Sequence, residues 1–131
     1  MKEQRLAAVR RYLDCLHRSD IEGLISLFAP EGFVVSPFLG TMHARPFFEK
    51  LAQSSTRSVI TPIELFAGSS DEPCARAAAY FRYDWTLKDG QVVTFKCMDV
   101  FEFEPVSGLF GAMTILYDTH PIREQVGDKY A

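Results

Sequence analysis

The 131-residue sequence has no run of basic residues and no long apolar segment. Its 14 Lys and Arg are outnumbered by 17 Asp and Glu, which gives a net charge of −3. Because phosphate binding needs clustered positive charge, we expect no nucleic-acid partner. No apolar stretch approaches the roughly 20 residues that cross a bilayer, and the charged segment 1–14 lacks the apolar region of a signal peptide. We therefore expect a cytoplasmic protein with no membrane partner.

Cysteine is also scarce, with Cys15, Cys74 and Cys97 far apart and no C-x-x-C pair. An odd number of widely spaced cysteines argues against a disulfide framework. The three histidines are scattered, so no zinc-ligand spacing is present. We expect neither a metal nor an organic cofactor, and we expect Cys15 and Cys97 to pack as small hydrophobic side chains.

The composition that remains is typical of a globular protein. Apolar residues make up 47% of the chain and charged residues 24%. A chain of this length has room for one core, so residues 1–131 are predicted to form a single domain. Residues 119–131 are polar and are expected to form a C-terminal tail that folds over the sheet or over a partner.

Three helices are predicted in the first half of the chain. Apolar residues at three- and four-residue spacing indicate a first helix over residues 3–17. Ser19 and Glu22 have the spacing of a capping box at the start of a second helix, which Pro30 should end. Pro46 fits the first turn of a third helix.

Most of the remaining chain has the two-residue period of β-strands. Pro62 indicates an edge strand or a bulge, and Asp89-Gly90 indicates a two-residue hairpin turn. A short strand and four longer ones are predicted at residues 31–37, 57–67, 74–88, 91–104 and 109–118.

The order of these elements predicts an α+β fold. Three N-terminal helices should pack on one face of a strongly curved antiparallel β-sheet. Long strands that curl would make a cone-like domain whose enclosed face forms a pocket. The 11 Phe residues suit an apolar ligand in that pocket as well as they suit a filled core.

The strand 91–104 places one carboxylate in an unusual position. Alternate residues share a face of a strand, and Asp99 lies in the middle of the almost wholly apolar face. Lys96, Glu102 and Glu104 occupy the other face. Burial would raise the pKa of Asp99 and make it a neutral hydrogen-bond donor for an oxyanion. Alternatively, Asp99 accepts structural hydrogen bonds, or a bulge turns it to the other face.

The order of helices and strands, together with three local motifs, resembles a known superfamily. The motifs are YLDCLHRSDIEGLISLFAPEGFVVSPFLG at residues 12–40, MDVFEFEPVSGLF at 98–110 and LYDTHPIR at 116–123. They resemble the SnoaL-like and ketosteroid-isomerase-like members of the nuclear-transport-factor superfamily. The resemblance covers nearly the whole chain and implies one SnoaL-like domain. It does not specify a reaction, because the superfamily holds isomerases, cyclases, dehydratases, epoxide hydrolases and non-enzymatic domains.

The resemblance to ketosteroid isomerase implies roles for particular residues. The Tyr and Asp of that enzyme's oxyanion hole fall on Tyr12 and Asp99. Its general-base Asp falls on Ser36, and a serine hydroxyl cannot take a proton near pH 7 without a helper. The epoxide-hydrolase branch pairs its Asp with an Arg at the position of Cys97. His43, on the loop before the third helix, is a candidate replacement base.

Three functions follow as hypotheses. The first is binding of a small apolar steroid- or polyketide-like carbonyl compound, with isomerisation, cyclisation or dehydration catalysed by Tyr12 and Asp99 as oxyanion donors. The second is non-catalytic binding of a lipophilic ligand. The third is a protein-interaction domain that forms a homodimer through the sheet, on the face of Tyr80 and Arg82. The predicted ligand-binding residues share an inward-facing or pocket-rim position; they are Ser36, Phe38, Phe81, Trp85, Phe95, Cys97 and Phe101.

Overall fold

A computed structural model of the protein describes residues 2–122, in which the helices pack on a curved, unclosed six-stranded sheet. The elements in chain order are α1 (Lys2–His17), α2 (Ile21–Ser26), β1 (Phe28–Ser36), β2 (Gly40–His43), α3 (Ala44–Ser54), β3 (Ser55–Ala67), β4 (Arg76–Leu87), β5 (Val92–Phe103), β6 (Phe110–Leu116) and a final 3-10 turn, η1 (His120–Ile122). The predicted cone-like α+β fold is confirmed.

Helix α1 forms where the apolar periodicity predicts it. Val9, Leu13 and Leu16 are buried against the sheet, and Tyr12 lies among them at 2% exposure. The Ile60 backbone N–H of β3 donates a 3.0 Å hydrogen bond to Nδ1 of His17 in the last turn. This bond fixes the end of α1 against the edge of the sheet.

The cap of α2 differs from the prediction. Asp20, not Ser19, is the N-cap, and its Oδ1 accepts a 3.0 Å hydrogen bond from the Gly23 N–H. Ser19 has a φ of 55°, in the left-handed region, because the chain reverses there between two helices. Glu22 pairs with Arg45 of α3 instead of returning to the cap.

The first hairpin begins earlier and extends further than predicted. Phe28, expected on the second helix, is the first residue of β1, and Pro30 lies inside that strand. The pairing of β1 with β6 is interrupted between Phe28 and Phe33, so the missing N–H of Pro30 leaves no gap in a regular ladder. The sequence analysis missed β2, which pairs with β1 after a three-residue turn.

The sheet is mixed rather than wholly antiparallel. Its strand order is β2-β1-β6-β5-β4-β3, and β1 runs parallel to β6 while every other pair is antiparallel. The parallel pair arises because α3 and the three long strands β3–β5 intervene between β1 and β6. The first and last strands of the fold thereby meet in the middle of the sheet.

The three long strands lie close to where their two-residue periodicity predicts them. Strand β3 is an edge strand with an irregularity between Pro62 and Glu64, so both predictions for Pro62 are confirmed. Strands β4 and β5 pair without interruption from Arg76–Glu102 to Thr86–Val92. Their turn has three residues, 88–90, rather than two. The Leu87 N–H donates to the Gln91 carbonyl at 2.9 Å, the Gly90 N–H donates to the Leu87 carbonyl at 3.0 Å, and Gly90 has a φ of 89°.

An aromatic cluster fills the space between the helices and the inner end of the sheet. The Tyr12 ring lies edge-on to Phe101, Phe48 and Phe110, with centroids 5.0, 6.3 and 6.3 Å away. Each buried Phe contributes about 1.5–3 kcal/mol of burial free energy. The cluster therefore holds the Tyr12 ring in place, and the Tyr12 side chain reaches the edge of the cluster, where a cavity begins.

The described part of the chain ends in a short turn after β6, and it contains no membrane-spanning helix. Within residues 2–122, no helix is long and apolar enough to cross a membrane. The predicted tail begins after β6 with a turn in which Asp118 Oδ1 accepts from the His120 N–H at 3.0 Å. The rest of that tail, residues 123–131, lies outside the described residues.

Candidate active site

A narrow apolar cavity lies between α1, α3 and the concave face of the sheet. Its volume is about 50 Å³, which holds a few water molecules. Eight of the ten predicted site residues line it, and they are Tyr12, Ser36, Phe38, Phe81, Trp85, Phe95, Cys97 and Asp99.

Asp99 is the polar centre of this cavity. Alternate residues of β5 face inward, as predicted, and Asp99 is 2% exposed. Its Oδ1 accepts a hydrogen bond from the Cys97 thiol at 3.0 Å, and the Tyr12 hydroxyl also hydrogen-bonds to it. Burial raises the pKa of Asp99 to about 7, although these two hydrogen bonds act in the opposite direction.

Tyr12 faces Asp99 from the opposite wall. Burial, followed by the negative charge of Asp99, raises the pKa of the Tyr12 hydroxyl well above its usual value. Tyr12 therefore keeps its proton at any physiological pH and remains a hydrogen-bond donor. A neutral donor beside a titrating carboxyl group is an arrangement that can move a proton to or from a bound molecule.

Tyr83 is a second polar feature of the cavity that the sequence analysis did not single out. It lies on the inner face of β4, and its hydroxyl hydrogen-bonds to the Ser58 hydroxyl of β3 at 3.0 Å. Beside it, the indole N–H of Trp85 donates to the Ser55 hydroxyl. The inward position of Tyr83 was readable from the alternation of β4, but its neighbour on β3 depended on a register that the sequence did not specify.

The mouth of the cavity is aromatic. Phe38, in the turn between β1 and β2, lies 6.3 Å from the ring of Tyr117, which in turn lies 4.6 Å from the ring of Phe95. The Leu39 N–H donates a 3.1 Å hydrogen bond to the Ser36 hydroxyl oxygen and so holds this turn. Ser36 lines the cavity, and its oxygen is engaged in shaping the turn that carries Phe38.

Two predicted site residues are not brought to the cavity. His43 is exposed at the junction of β2 and α3, and it is not among the lining residues. Phe101 is fully buried behind Tyr12 as part of the aromatic cluster, because the inner end of β5 is covered by α1. The structure thus offers no contact between His43 and the Asp99 carboxyl.

The cavity contains a single carboxyl group among the described residues. No His, Lys or Arg in the range 2–122 lines it, and the side chains that hydrogen-bond to Asp99 are the uncharged Tyr12 hydroxyl and Cys97 thiol. Within the same range, no group of three or more His, Cys, Asp or Glu side chains is arranged to hold a metal ion. The hydroxyl, thiol and carboxyl groups of the cavity can donate and accept hydrogen bonds and transfer protons.

Sequence comparison identifies the family of the chain that forms this helix-covered sheet and buried Asp99. The family model described as a SnoaL-like domain matches residues 9–109, a span that includes Tyr12, Asp99 and most of the residues that line the cavity. The chain belongs to the SnoaL-like family. No curated protein sequence matches this SnoaL-like chain.

Solved structures share the fold of this SnoaL-like domain. An NTF2-like protein of unknown function from Burkholderia pseudomallei is 20% identical, with a TM-score of 0.76 over 93% of this chain and 96% of that one. The epoxide hydrolase/cyclase-like enzyme SalBIII, with a role in pyran ring formation in the polyether salinomycin, is 17% identical, with a TM-score of 0.75 over 88% and 92%.

A third structure extends the likeness to the ketosteroid-isomerase-like fold. It is a hypothetical protein from Catenulispora acidiphila in complex with trimethylamine, 13% identical, with a TM-score of 0.74 over 92% of each chain. At these identities the likeness shows the fold alone. The function of the present chain must therefore be argued from its own cavity.

Proposed function

We propose that the protein binds a small apolar carbonyl compound and transfers a proton at the carbon next to the carbonyl group. The single observation that carries this proposal is a buried carboxyl group, Asp99, at the centre of an apolar cavity with a neutral Tyr12 donor beside it. A carboxyl group whose pKa lies near the working pH is suited to both accepting and returning a proton.

The geometry favours a division of roles between the two residues. Both neighbours of Asp99 donate hydrogen bonds towards it, which suits the ionised, proton-accepting form. We therefore assign Asp99 as the base and Tyr12 as the donor to the carbonyl oxygen, rather than both as oxyanion donors. This assignment also accounts for Ser36 in the place of the usual base, since Asp99 then supplies that function.

The proposed reaction balances without a cofactor. The Asp99 carboxylate removes the proton from the α-carbon, the electron pair moves to the carbonyl oxygen as an enolate, and the Tyr12 hydroxyl hydrogen-bonds to that oxygen. The protonated Asp99 then returns the proton to another carbon, which gives isomerisation, or to the oxygen formed when the enolate attacks a second carbonyl, which gives cyclisation. Proton transfer by the same residue to a departing hydroxide gives dehydration.

The size of the cavity limits the ligand. A volume of about 50 Å³ is smaller than the roughly 150 Å³ of a cavity that binds benzene, so any ring compound requires the walls to move, and a steroid requires the largest movement. The half-buried rings of Phe38, Phe95 and Tyr117 at the mouth are the groups that can turn aside. We propose a ligand of one or two fused rings, held by apolar contact with Phe81 and Trp85.

The test is exchange of α-protons for deuterium in 2-tetralone, an enolisable two-ring ketone, followed by NMR. Wild-type protein should catalyse the exchange, and the rate should rise with pH through about 7 as Asp99 ionises. Asp99→Asn should lower the rate at least roughly 100-fold, because a positioned general base contributes about 10²–10⁴-fold. Tyr12→Phe should lower it by a smaller factor.

His43→Ala is the matched control, since it removes a titratable side chain outside the cavity and should leave the rate unchanged. A rate that instead falls as pH rises through 7 would show that Asp99 acts as a protonated donor. Tight binding of 2-tetralone without exchange would favour the second candidate function, a non-catalytic ligand-binding domain, which the engagement of Ser36 with the loop also supports.

We also propose that two copies associate through the outer face of the sheet. Tyr80, Met98 and Leu116 are neighbours across β4, β5 and β6 on that face, and Leu116 is exposed. A two-fold axis at the level of residue 99 would place Lys96 of one copy opposite Glu102 of the other. Apolar contact flanked by opposite charges is the support for this arrangement.

A further inference from the structure

Cys97 occupies a specific place in the hydrogen bonding around Asp99. The sulfur accepts a hydrogen bond from the Leu116 backbone N–H of the adjacent strand β6. The thiol donates to Asp99 Oδ1 at 3.0 Å, two residues along the same face of β5. The side chain is 2% exposed. Because the Leu116 N–H already donates to the sulfur, the S–H bond of Cys97 points towards the Asp99 carboxylate.

We propose that Cys97 is a positioning residue that orients Asp99 and holds it in its proton-accepting form. This inference rests on the proposed function in one respect: only a carboxylate that accepts a proton from a ligand needs to be held in its ionised form. The role itself is a property of the ligand-free protein. The thiol acts on Asp99 rather than on the ligand, and on the inward face of β5 it lies between Asp99 and Phe95 at the cavity mouth.

The surroundings of Asp99 make the thiol important. Helix α1 presents Tyr12, β4 presents Ala79 directly opposite Asp99, and β6 presents Ile115 on the other side. Among the described residues that line the cavity, the other titratable groups are Tyr83 and Tyr117, and none carries a positive charge. The carboxylate thus depends on uncharged donors, and removing one of them should disfavour the ionised form.

The thiol also remains a donor over the whole physiological range. Burial, followed by the charge of Asp99, raises the pKa of Cys97 far above its usual value. Cys97 is therefore a fixed S–H donor rather than a nucleophilic thiolate. A change in its hydrogen bond should follow the titration of Asp99, and not a titration of its own.

The experiment measures the pKa of Asp99 in ligand-free protein from the infrared C=O band of its carboxyl group, assigned by its loss in Asp99→Asn. Cys97→Ala should raise that pKa by about one unit, since a hydrogen bond to a charged group is worth about 1.5–3 kcal/mol and one unit about 1.4. Cys97→Ser retains a donor and should stay near the wild-type value. Cys15→Ala, which removes a buried thiol from α1, should not change it.

A second measurement reports on the bond itself. In protein with Cys15 and Cys74 replaced by Ala, the S–H stretching band belongs to Cys97 alone, and it should shift with the same midpoint as the carboxyl band. An S–H band that ignores pH, or an Asp99 pKa unchanged in Cys97→Ala, would overturn the proposal. If Cys97→Ala does not fold, Cys97→Val fills the space without a donor and gives the same test.

These outcomes are separate from those of the proposed function. Neither band requires a ligand or turnover, so the positioning role can hold while 2-tetralone exchange fails. Conversely, exchange that depends on Asp99 with no effect of Cys97→Ala on its pKa would retain the proposed function and remove the role of Cys97.

Discussion

At the scale of single residues, burial of Asp99 should make the protein less stable as the pH rises. The pKa of Asp99 is about 7 in the folded protein and about 3.9 in an unfolded chain. The folded state therefore binds a proton more tightly, and the free energy of unfolding should decrease between pH 4 and pH 7 and level off above that. A shift of about three units corresponds to roughly 4 kcal/mol at most.

Asp99→Asn removes this effect and should raise the free energy of unfolding at pH 8 by roughly 1–4 kcal/mol, with little change at pH 4. Urea unfolding at the two pH values measures it. Asp84→Asn on the outer face is the control. A hydrogen bond from Thr94 and the charge of Arg82 lower the pKa of Asp84, so its replacement should give no gain at pH 8. If Asp99→Asn and wild type have the same free energy of unfolding at both pH values, burial of the Asp99 carboxylate does not destabilise the protein and the prediction is wrong.

The sequence predicted Asp99 and Tyr12 more readily than it predicted their neighbours. Strand alternation alone places Asp99 on the apolar face, and helical periodicity places Tyr12 at the edge of the α1 stripe. The hydrogen bond from Cys97 depends on one thiol rotamer and on an amide of β6, neither of which has a signature in the sequence. Tyr83 was not predicted as a site residue, because its hydrogen-bond partner Ser58 lies on another strand and the sequence does not show which residues of two strands are neighbours.

At the scale of elements, the start of α2 provides a direct test of the corrected cap. Asp20→Ala should lower the free energy of unfolding by about 1 kcal/mol, because it leaves the Gly23 N–H without its partner. Ser19→Ala should have little effect, since Ser19 is not the cap residue. Urea unfolding of the two variants compares them. The reverse order of effects would restore the capping box predicted from Ser19 and Glu22.

The error at Phe28 has a physical cause. The stripe of Ile21, Leu24 and Ile25 continues to Phe28 at helical spacing, so periodicity alone extends the helix. Tertiary pairing prevails instead, because Phe28 pairs with Phe110 of β6 and packs against its ring at 5.3 Å. Local pattern cannot reveal a partner that lies some 80 residues away.

At the scale of the whole molecule, the order of elements was sufficient to predict the cone-like fold. The long strands and their hairpins fix β3, β4, β5 and β6 as neighbours, because each pairs with the next along the chain. The position of β1 was not predictable in this way. It joins the sheet beside β6 in parallel, which requires the curvature to bring the two ends of the fold together.

The outer face of the sheet carries the last prediction, association of two copies. If Lys96 lies opposite Glu102 of the partner subunit, Lys96→Glu and Glu102→Lys should each weaken the dimer roughly tenfold, since each places two pairs of like charges together. The double variant exchanges the charges and should recover most of the affinity. Glu102 also lies 3.7 Å from Arg76, so recovery is expected to be incomplete.

Sedimentation equilibrium at low salt measures the dissociation constants, and a rise in salt should weaken the charge effect more than the apolar contact. Single variants that each weaken the dimer without recovery in the double variant would place the two charges apart and rule out the axis at residue 99. A wild-type protein that stays monomeric at high concentration would remove the interface altogether. Because the cavity opens on the opposite face of the sheet, neither result would alter the α-proton exchange expected of Asp99.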